Sequence, residues 1–213
     1  GYGYWGSKIV RVLHGLPQVE SVVVVDPSPA ARNRARKDWG DDQIAVEVVH
    51  WHETDAVVIA CPPSLHTQWM THALLHKKDV FVEKPCGVCL ADIGAMERLR
   101  DAGVIVQVGY VYAYHPVFRW MQEHLPSVVG SCVRWVHVFR GNMGQPRQDV
   151  SVLEDLLVHD LAMALLLWGD PVEAWGEGHR YLSEREDAYV VGMRFSGGEW
   201  MVLAGSWDES NKE

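Results

Sequence analysis

The chain has 213 residues, 48% of them hydrophobic and 22% charged, enough to bury the core of one large domain or two small ones. Its formal net charge is -9 and its Lys and Arg residues do not cluster, so no basic stripe is available to neutralise phosphates and a nucleic-acid partner is excluded. No apolar run approaches the roughly 20 residues that cross a bilayer. The four cysteines show no disulfide-framework pattern, so a cytoplasmic protein with no membrane partner is expected.

The first part alternates strand and helix signals. Gly1 stands inside a glycine-rich turn with no strand before it, and Glu213 ends a strand-like stretch in mid-pattern. That pattern reads as a fragment lacking its first strand and much of its C-terminal part. Ser7 to His14 carries apolar residues at helical spacing. Ser21 to Val25 is a continuous apolar run ending at Asp26, as in a buried parallel strand. A helix follows over Ala30 to Trp39 and a short strand over Ile44 to Val49. Ala56 to Ala60 is a buried strand stopped by Pro62-Pro63, and Ser64 to His76 reads as a helix with Ser64 as its N-cap. Val80 to Val82 is a strand running into Glu83-Lys84-Pro85. Leu90 to Ala102 is a helix stopped by Gly103, and Val104 to Val108 a strand. The alternation predicts an α/β fold with a doubly wound parallel sheet over residues 1–112.

The character changes near Tyr110. Pro116 to Leu125 reads as a helix, Ser131 to Phe139 as a strand, and Val152 to Trp168 as a long apolar helix closed by Gly169 and Pro171. Two strands, Ala188 to Phe195 and Trp200 to Trp207, flank Gly197-Gly198 as a hairpin. Residues 113–213 are therefore expected to form an α+β domain with a mainly antiparallel open sheet.

Four features carry possible chemistry. Gly1-Tyr2-Gly3-Tyr4-Trp5-Gly6 fits G-x-G-x-x-G, a tight turn that lets backbone approach a pyrophosphate at a helix N-terminus. Asp26 stands 20 residues after Gly6, where a carboxylate can accept from a ribose 2′-hydroxyl and repel a 2′-phosphate. This favours NAD, while the nearby Arg32 and Arg34 keep NADP open. Lys84 lies at the C-terminal end of a parallel strand, the edge at which such sheets bind ligands. It either holds a substrate hydroxyl and stabilises alkoxide charge or is a surface lysine in a loop. Asp155 and His159 are four apart on an apolar helix. By spacing alone, a core histidine bonded to Asp155 is the simpler reading, and an acid/base pair the alternative. Cys86-Gly87-Val88-Cys89 lacks a second ligand pair and reads as chance, so no metal is expected.

Several separated stretches together resemble the Gfo/Idh/MocA oxidoreductases, relatives of glucose–fructose oxidoreductase and inositol dehydrogenase. They are Gly1 to Gly6; Asp55 to Pro63 with His66; Val80 to Pro85; Val108-Gly109-Tyr110 with Tyr114-His115-Pro116; and Asp149 to Asp160, which resembles the sugar and nucleotide-sugar branch. The resemblance implies a Rossmann domain followed by the open-sheet domain, and reversible hydride transfer between a sugar carbon and nicotinamide. It implies a cofactor site of Gly1, Gly3, Tyr4, Trp5, Gly6, Asp26, Cys61, Pro62, His66, Glu83 and Lys84. It implies Lys84, Asp155 and His159 as the catalytic group, with His159 the acid/base, against the core-histidine reading. Tyr110, His115 and Arg147 join these three as substrate contacts, Arg147 toward an anionic group. A small-molecule sugar partner and a homo-oligomer of the full-length protein are implied. Two positions depart from many members: His115 stands where Asn is usual before the proline, and Leu157 where Gly is usual before the histidine. Relatives on this fold also include an NAD-dependent glycosidase that oxidises its substrate transiently, and non-catalytic cofactor-sensing regulators. Both stand as alternatives.

Overall fold

The computed structural model describes residues 1–40, 45–46, 49–88, 94, 103–128, 135–141 and 147–207. The chain forms two compact units, Gly1–Val108 and Gly109–Glu213.

In the first unit, helix α1 (Tyr4–His14) starts straight from the glycine turn and stops at Gly15. Strand β1 (Val24–Val25) leads to α2 (Pro29–Trp39), where Ser28 Oγ accepts the Ala31 N–H at 3.4 Å and Pro29 sets the first-turn φ. β1 pairs in parallel with β2 (Ala45–Val46). β3 (Ala56–Ile59), β4 (Asp79–Val82) and β5 (Val106–Val108) form a three-stranded parallel sheet in the order β3-β4-β5. Helix α3 (His66–Leu75) crosses from β3 to β4 and buries Met70 and Ala73 against Ile59, Val80 and Val82. A second small core gathers Tyr2, Val10, Val24, Ala31 and Ala35.

This is the α/β alternation the sequence predicts, with local differences. The run from Ser21 forms strand only at Val24–Val25, because its described ladder partner is Ala45–Val46. Ser64 is not a cap. The Pro62-Pro63 pair starts a 3-10 turn (Pro63–Leu65) closed by Leu65 N–H to Pro62 O at 2.9 Å, so Ser64 lies inside the turn and α3 begins at His66. Ile44 and most of the Leu90 to Ala102 helix lie outside the described residues; Gly103, with φ 74°, is the left-handed stop expected there.

In the second unit, a 3-10 turn (Val111–Tyr114) precedes α4 (Pro116–Val128). Four strands follow: β6 (Trp135–Gly141), β7 (Glu173–His179), β8 (Ala188–Arg194) and β9 (Trp200–Ser206), in the order β6-β9-β8-β7. β6 runs parallel to β9, and the other two pairings are antiparallel. The β8–β9 hairpin turns at Gly198, whose φ of 90° suits glycine. β7 was not foreseen: two glycines and charged residues hide its alternation, and its partner β8 supplies the apolar side chains.

The predicted long helix from Val152 has two parts. Leu153–Leu157 is a π-helical turn and Val158–Trp168 is α-helix α5. This segment covers one sheet face with Leu157 and Ala164, meeting Val191, Met193, Phe195, Met201 and Leu203. Gly205 on β9 has no side chain, so Leu157 approaches closely there; a Cβ would sit 2.9 Å from its Cδ2. The opposite face leaves Trp135, Phe139 and Trp175 about half exposed or more, with Trp135 stacked on Trp200 at 6.2 Å.

Leu203 is fully buried at the centre of this core. Leu203→Ala is expected to lower stability by about 2–5 kcal/mol, read as a reduced urea midpoint with an unchanged slope. An unchanged midpoint would mean that this sheet–helix core is not the one that holds the unit.

Candidate functional site

The glycine turn is built from two close approaches and one open position. A Cβ on Gly6 would lie 2.0 Å from the Gly1 carbonyl oxygen, and one on Gly1 would lie 2.5 Å from the Ala60 carbonyl oxygen. Around Gly3 a Cβ would meet nothing within 4 Å. Gly3 caps α1 without any side-chain bond, and no acidic residue stands in the first turn. The first N–H groups of this helix thus face an open position with a favourable dipole for an anion. A diphosphate fits that arrangement.

Asp26, just after β1, accepts the Tyr2 N–H at 2.8 Å and the Ser28 N–H at 2.8 Å, one on each carboxylate oxygen. Each oxygen keeps a second acceptor site for a ribose hydroxyl. Arg32 donates to the Asp26 and Pro27 carbonyls at 2.7 and 2.9 Å, and Arg34 to the Tyr2 carbonyl at 3.2 Å. Tyr2 itself is buried; its hydroxyl donates to Asp38 and accepts from Trp39 Nε1, and burial pushes its phenol pKa up. Tyr4 and Trp5 are exposed, with the Lys8 ammonium 3.8 and 4.7 Å from their ring centres. A hydrogen bond with Lys8 draws the Tyr4 phenol pKa down.

Cys61 and Pro62 follow β3, and Glu83 and Lys84 follow β4. The Glu83 N–H reaches back to Ile59 O at 2.9 Å, tying the two strand ends. His66 ties them again. Its ring is fully buried, with Nδ1 at 2.7 Å from Pro85 O and Nε2 at 2.9 Å from Cys61 O. Each nitrogen faces a backbone carbonyl, and the tautomer decides which of the two accepts from a neutral ring, so the ring contributes to this edge from between Cys61 and Pro85. Burial pushes the Glu83 carboxyl up, against the pull of the Lys84 N–H, the Lys84 charge and His66. Burial also raises the Cys61 thiol. Lys84 is half-buried, and the Lys84-Pro85 peptide is cis.

In the second unit, Ser151 and Glu154 form a capping box. Ser151 N–H donates to Glu154 Oε2 at 2.7 Å, and Glu154 N–H donates to Ser151 Oγ at 3.4 Å. The π turn then widens the helix, closed by Val158 N–H to Leu153 O. Asp155 lies in that turn and His159 one residue into α5. The His159 ring meets Tyr112 edge-on at 4.9 Å and Tyr110 at 6.5 Å. Arg147 forms a two-point pair with Asp149, at 2.9 and 2.6 Å, and reaches Asp155 Oδ1 at 3.4 Å. This pairing holds the Asp149 carboxyl below its ordinary pKa and the Arg147 guanidinium above its own. His115 precedes α4, and its Nδ1 accepts the Val117 N–H at 3.3 Å.

Three residues beside His159 escaped the sequence reading. Asp160, next in the chain, is buried and takes both Arg140 Nε and, at 2.9 Å, Arg140 Nη2. The Arg140 guanidinium lies 4.9 Å from the Tyr112 ring centre. An acidic residue on an apolar helix was a readable signal, but Arg140 sits on a distant strand with nothing in its spacing to link it. Ser151-Val152-Leu153-Glu154 was also readable, as S-x-x-E. Among the described residues no cluster of three or more His, Cys, Asp or Glu could hold a metal ion.

The chain is 26% identical over 178 residues to scyllo-inositol 2-dehydrogenase (NAD(+)) of Bacillus subtilis, covering 78% of this chain and 51% of that protein. It is 26% identical over 157 residues to UDP-N-acetylglucosamine 3-dehydrogenase of Acidithiobacillus ferrooxidans, covering 72% and 49%. The chain thus spans about half the length of these relatives. Its fold matches the crystal structure of GenD2 from gentamicin A biosynthesis, in complex with NAD, with TM-score 0.85 and 21% identity, over 99% of this chain and 65% of that one. Residues 1–110, just over half of the 213, match the Gfo/Idh/MocA family, described as an oxidoreductase family with an NAD-binding Rossmann fold, and the chain belongs to it.

Proposed function

We propose that this protein transfers a hydride reversibly between a hydroxyl-bearing carbon of a sugar or nucleotide sugar and NAD. One observation carries the reading. Within the first unit, Asp26, the Cys61-Pro62 segment and Lys84 follow the C-terminal ends of parallel strands, and the glycine turn meets two of those ends, Gly1 packing against the end of β3 and the Tyr2 N–H donating to Asp26. Ligands of parallel sheets bind at that edge. The two relatives act by name on a polyol and a nucleotide sugar, which supports the substrate class.

In this reading the Gly1–Gly6 turn and the N-terminus of α1 hold the diphosphate, flanked by Tyr4 and Trp5. Asp26 accepts from the adenosine ribose and disfavours a 2′-phosphate. Arg32 is held on backbone carbonyls, which supports NAD over NADP. Bound nicotinamide supplies the hydride acceptor. Lys84 binds the reacting hydroxyl and stabilises negative charge as it develops on that oxygen. His159 takes the hydroxyl proton, oriented by Asp155. Arg147 is already shared by Asp149 and Asp155, so its role is to hold Asp155 rather than to receive a substrate anion. Tyr110 and His115 contribute substrate contacts. His66 acts by donating to one of the Cys61 and Pro85 carbonyls between which its ring lies.

The exposed Trp135, Phe139 and Trp175 support self-association through the uncovered sheet face. Phe139→Glu in the full-length protein should then shift it to smaller assemblies in sedimentation velocity. Wild-type sedimentation would remove this face from the interface.

The direct test is a screen of NAD and NADP reduction by the full-length protein against polyols, aldoses and UDP-sugars. NAD-linked oxidation of one class is expected. Lys84→Met should lower kcat by about 100-fold or more, and wild-type turnover in that variant would sink the role. Gly6→Ala forces a methyl into the Gly1 carbonyl, 2.0 Å away. It should weaken NADH binding at least about tenfold, or roughly 1.4 kcal/mol, by fluorescence titration. Unchanged affinity would place the cofactor elsewhere.

A further inference from the structure

We infer that the pair formed by buried Asp160 and half-buried Arg140 is a positioning device that holds the Tyr112 ring against His159. The inference rests on the reading of His159 as the acid/base. The contacts form a continuous chain within the second unit. Asp160 follows His159 directly and is 1% exposed. Its two carboxylate oxygens take Arg140 Nε and Nη2, a fork that fixes the plane of the guanidinium. That guanidinium lies 4.9 Å from the centre of the Tyr112 ring, within range of a cation–π contact. Asp160, and after it the nearby Tyr112 phenol, favour the charged form of Arg140. The Tyr112 ring also meets His159, at 4.9 Å and an interplanar angle of 83°.

Energetics single the pair out. Asp160 lies on the helix that carries Leu157 and Ala164 into the apolar core. Taking Asp160 fully and Arg140 largely out of water, the latter still 26% exposed, is offset by their mutual attraction only when geometry is good, and apolar residues of similar volume often hold a fold as well or better. The pair is therefore poorly explained as a stabiliser of the sheet–helix core. What it supplies that apolar residues cannot is a fixed planar cation over one aromatic ring. Tyr112 sits in a short 3-10 turn and is 38% exposed, so its own packing constrains it weakly. Clamped from one side, it limits the orientations open to His159. The widened π turn just before His159 makes such a restraint useful, because the helix there departs from regular geometry.

Two variants of the full-length protein test this without a known substrate. Tyr112→Leu removes the ring, and the R140M/D160L double variant removes the pair while leaving Tyr112. Replacing both charges avoids stranding one of them, so this protein is expected to melt at or above the wild-type temperature. The readout is the proton shifts of the His159 ring carbons, which the Tyr112 ring current displaces in the wild type. In R140M/D160L these shifts are expected to move most of the way to their Tyr112→Leu values. His159 shifts that stay at wild-type positions in the folded double variant overturn the inference. Should the double variant fail to fold, the pair is a core element and the inference is likewise overturned. A second arm uses NAD with whichever of myo-inositol or UDP-N-acetylglucosamine is oxidised. There R140M/D160L should lower kcat about tenfold or more with little change in KM. If His159→Gln keeps wild-type turnover, the acid/base reading fails, while the ring-shift result still decides the positioning claim. If His159→Gln is inactive and R140M/D160L turns over normally, the positioning claim alone fails.

Discussion

There is no room for a side chain between Gly6 and the carbonyl of Gly1. That constraint organises the first unit. It brings the first turn of α1 down onto the glycine turn, and it sets Gly1 beside the end of β3, where a second Cβ would collide with Ala60 O. The same residues reach the end of β1, because the Tyr2 N–H donates to Asp26. No described strand pairs β1 with β3, and the five parallel strands fall into a two-stranded and a three-stranded sheet. Gly1 and Tyr2 touch the ends of both. The buried Tyr2 ring, bonded to Asp38 and Trp39, anchors this crossing in the small core under α2. Gly3, by contrast, is left open, and it is the one of the three positions at which an anion can approach the backbone.

The second unit solves a different problem: how to place polar groups on a helix whose neighbours are apolar. The capping box fixes where the helix begins, and the π turn adds a residue to the first loop of backbone. Asp155 and His159 stand on either side of the change from π to α geometry. Gly205 makes room for Leu157 on the sheet, so the widened turn still buries its apolar side. His159 then faces aromatic rings, while Asp155 faces Arg147.

Much of this was legible in the sequence because local chemistry decides it. Glycine spacing, strand-end Asp26, the Gly198 hairpin and the apolar face of the helix each depend on residues near one another in the chain. Ser64 was misread because a tandem proline outweighs a serine as a turn starter. The π turn was invisible, since a run such as Leu153–Leu157 has apolar residues compatible with either helical period. β7 was missed because its apolar partners lie on β8. The roles of His66 and Arg147 needed coordinates for a related reason. Sequence offers them as cofactor and substrate contacts, but it does not show that backbone carbonyls lie against the His66 ring and that two carboxylates pair with Arg147.

Buried polar groups separate scaffold from mechanism in this chain. His66, Ser151, Asp160 and Asp187 are the buried polar or charged residues among those described. Three of them serve local backbone. His66 lies between two carbonyls, and Ser151 closes the capping box. Asp187 gathers the N–H groups of Tyr181, Leu182 and Ser183 and so folds the loop before β8. Backbone groups need such partners wherever the chain turns away from regular structure, so these residues are explained by the fold alone. Asp160 is different, because its described partner is a side chain on another element, and that side chain also lies against an aromatic ring. An apolar helix position could satisfy the fold without it. The charge is better accounted for by the ring it steadies, and through that ring by His159.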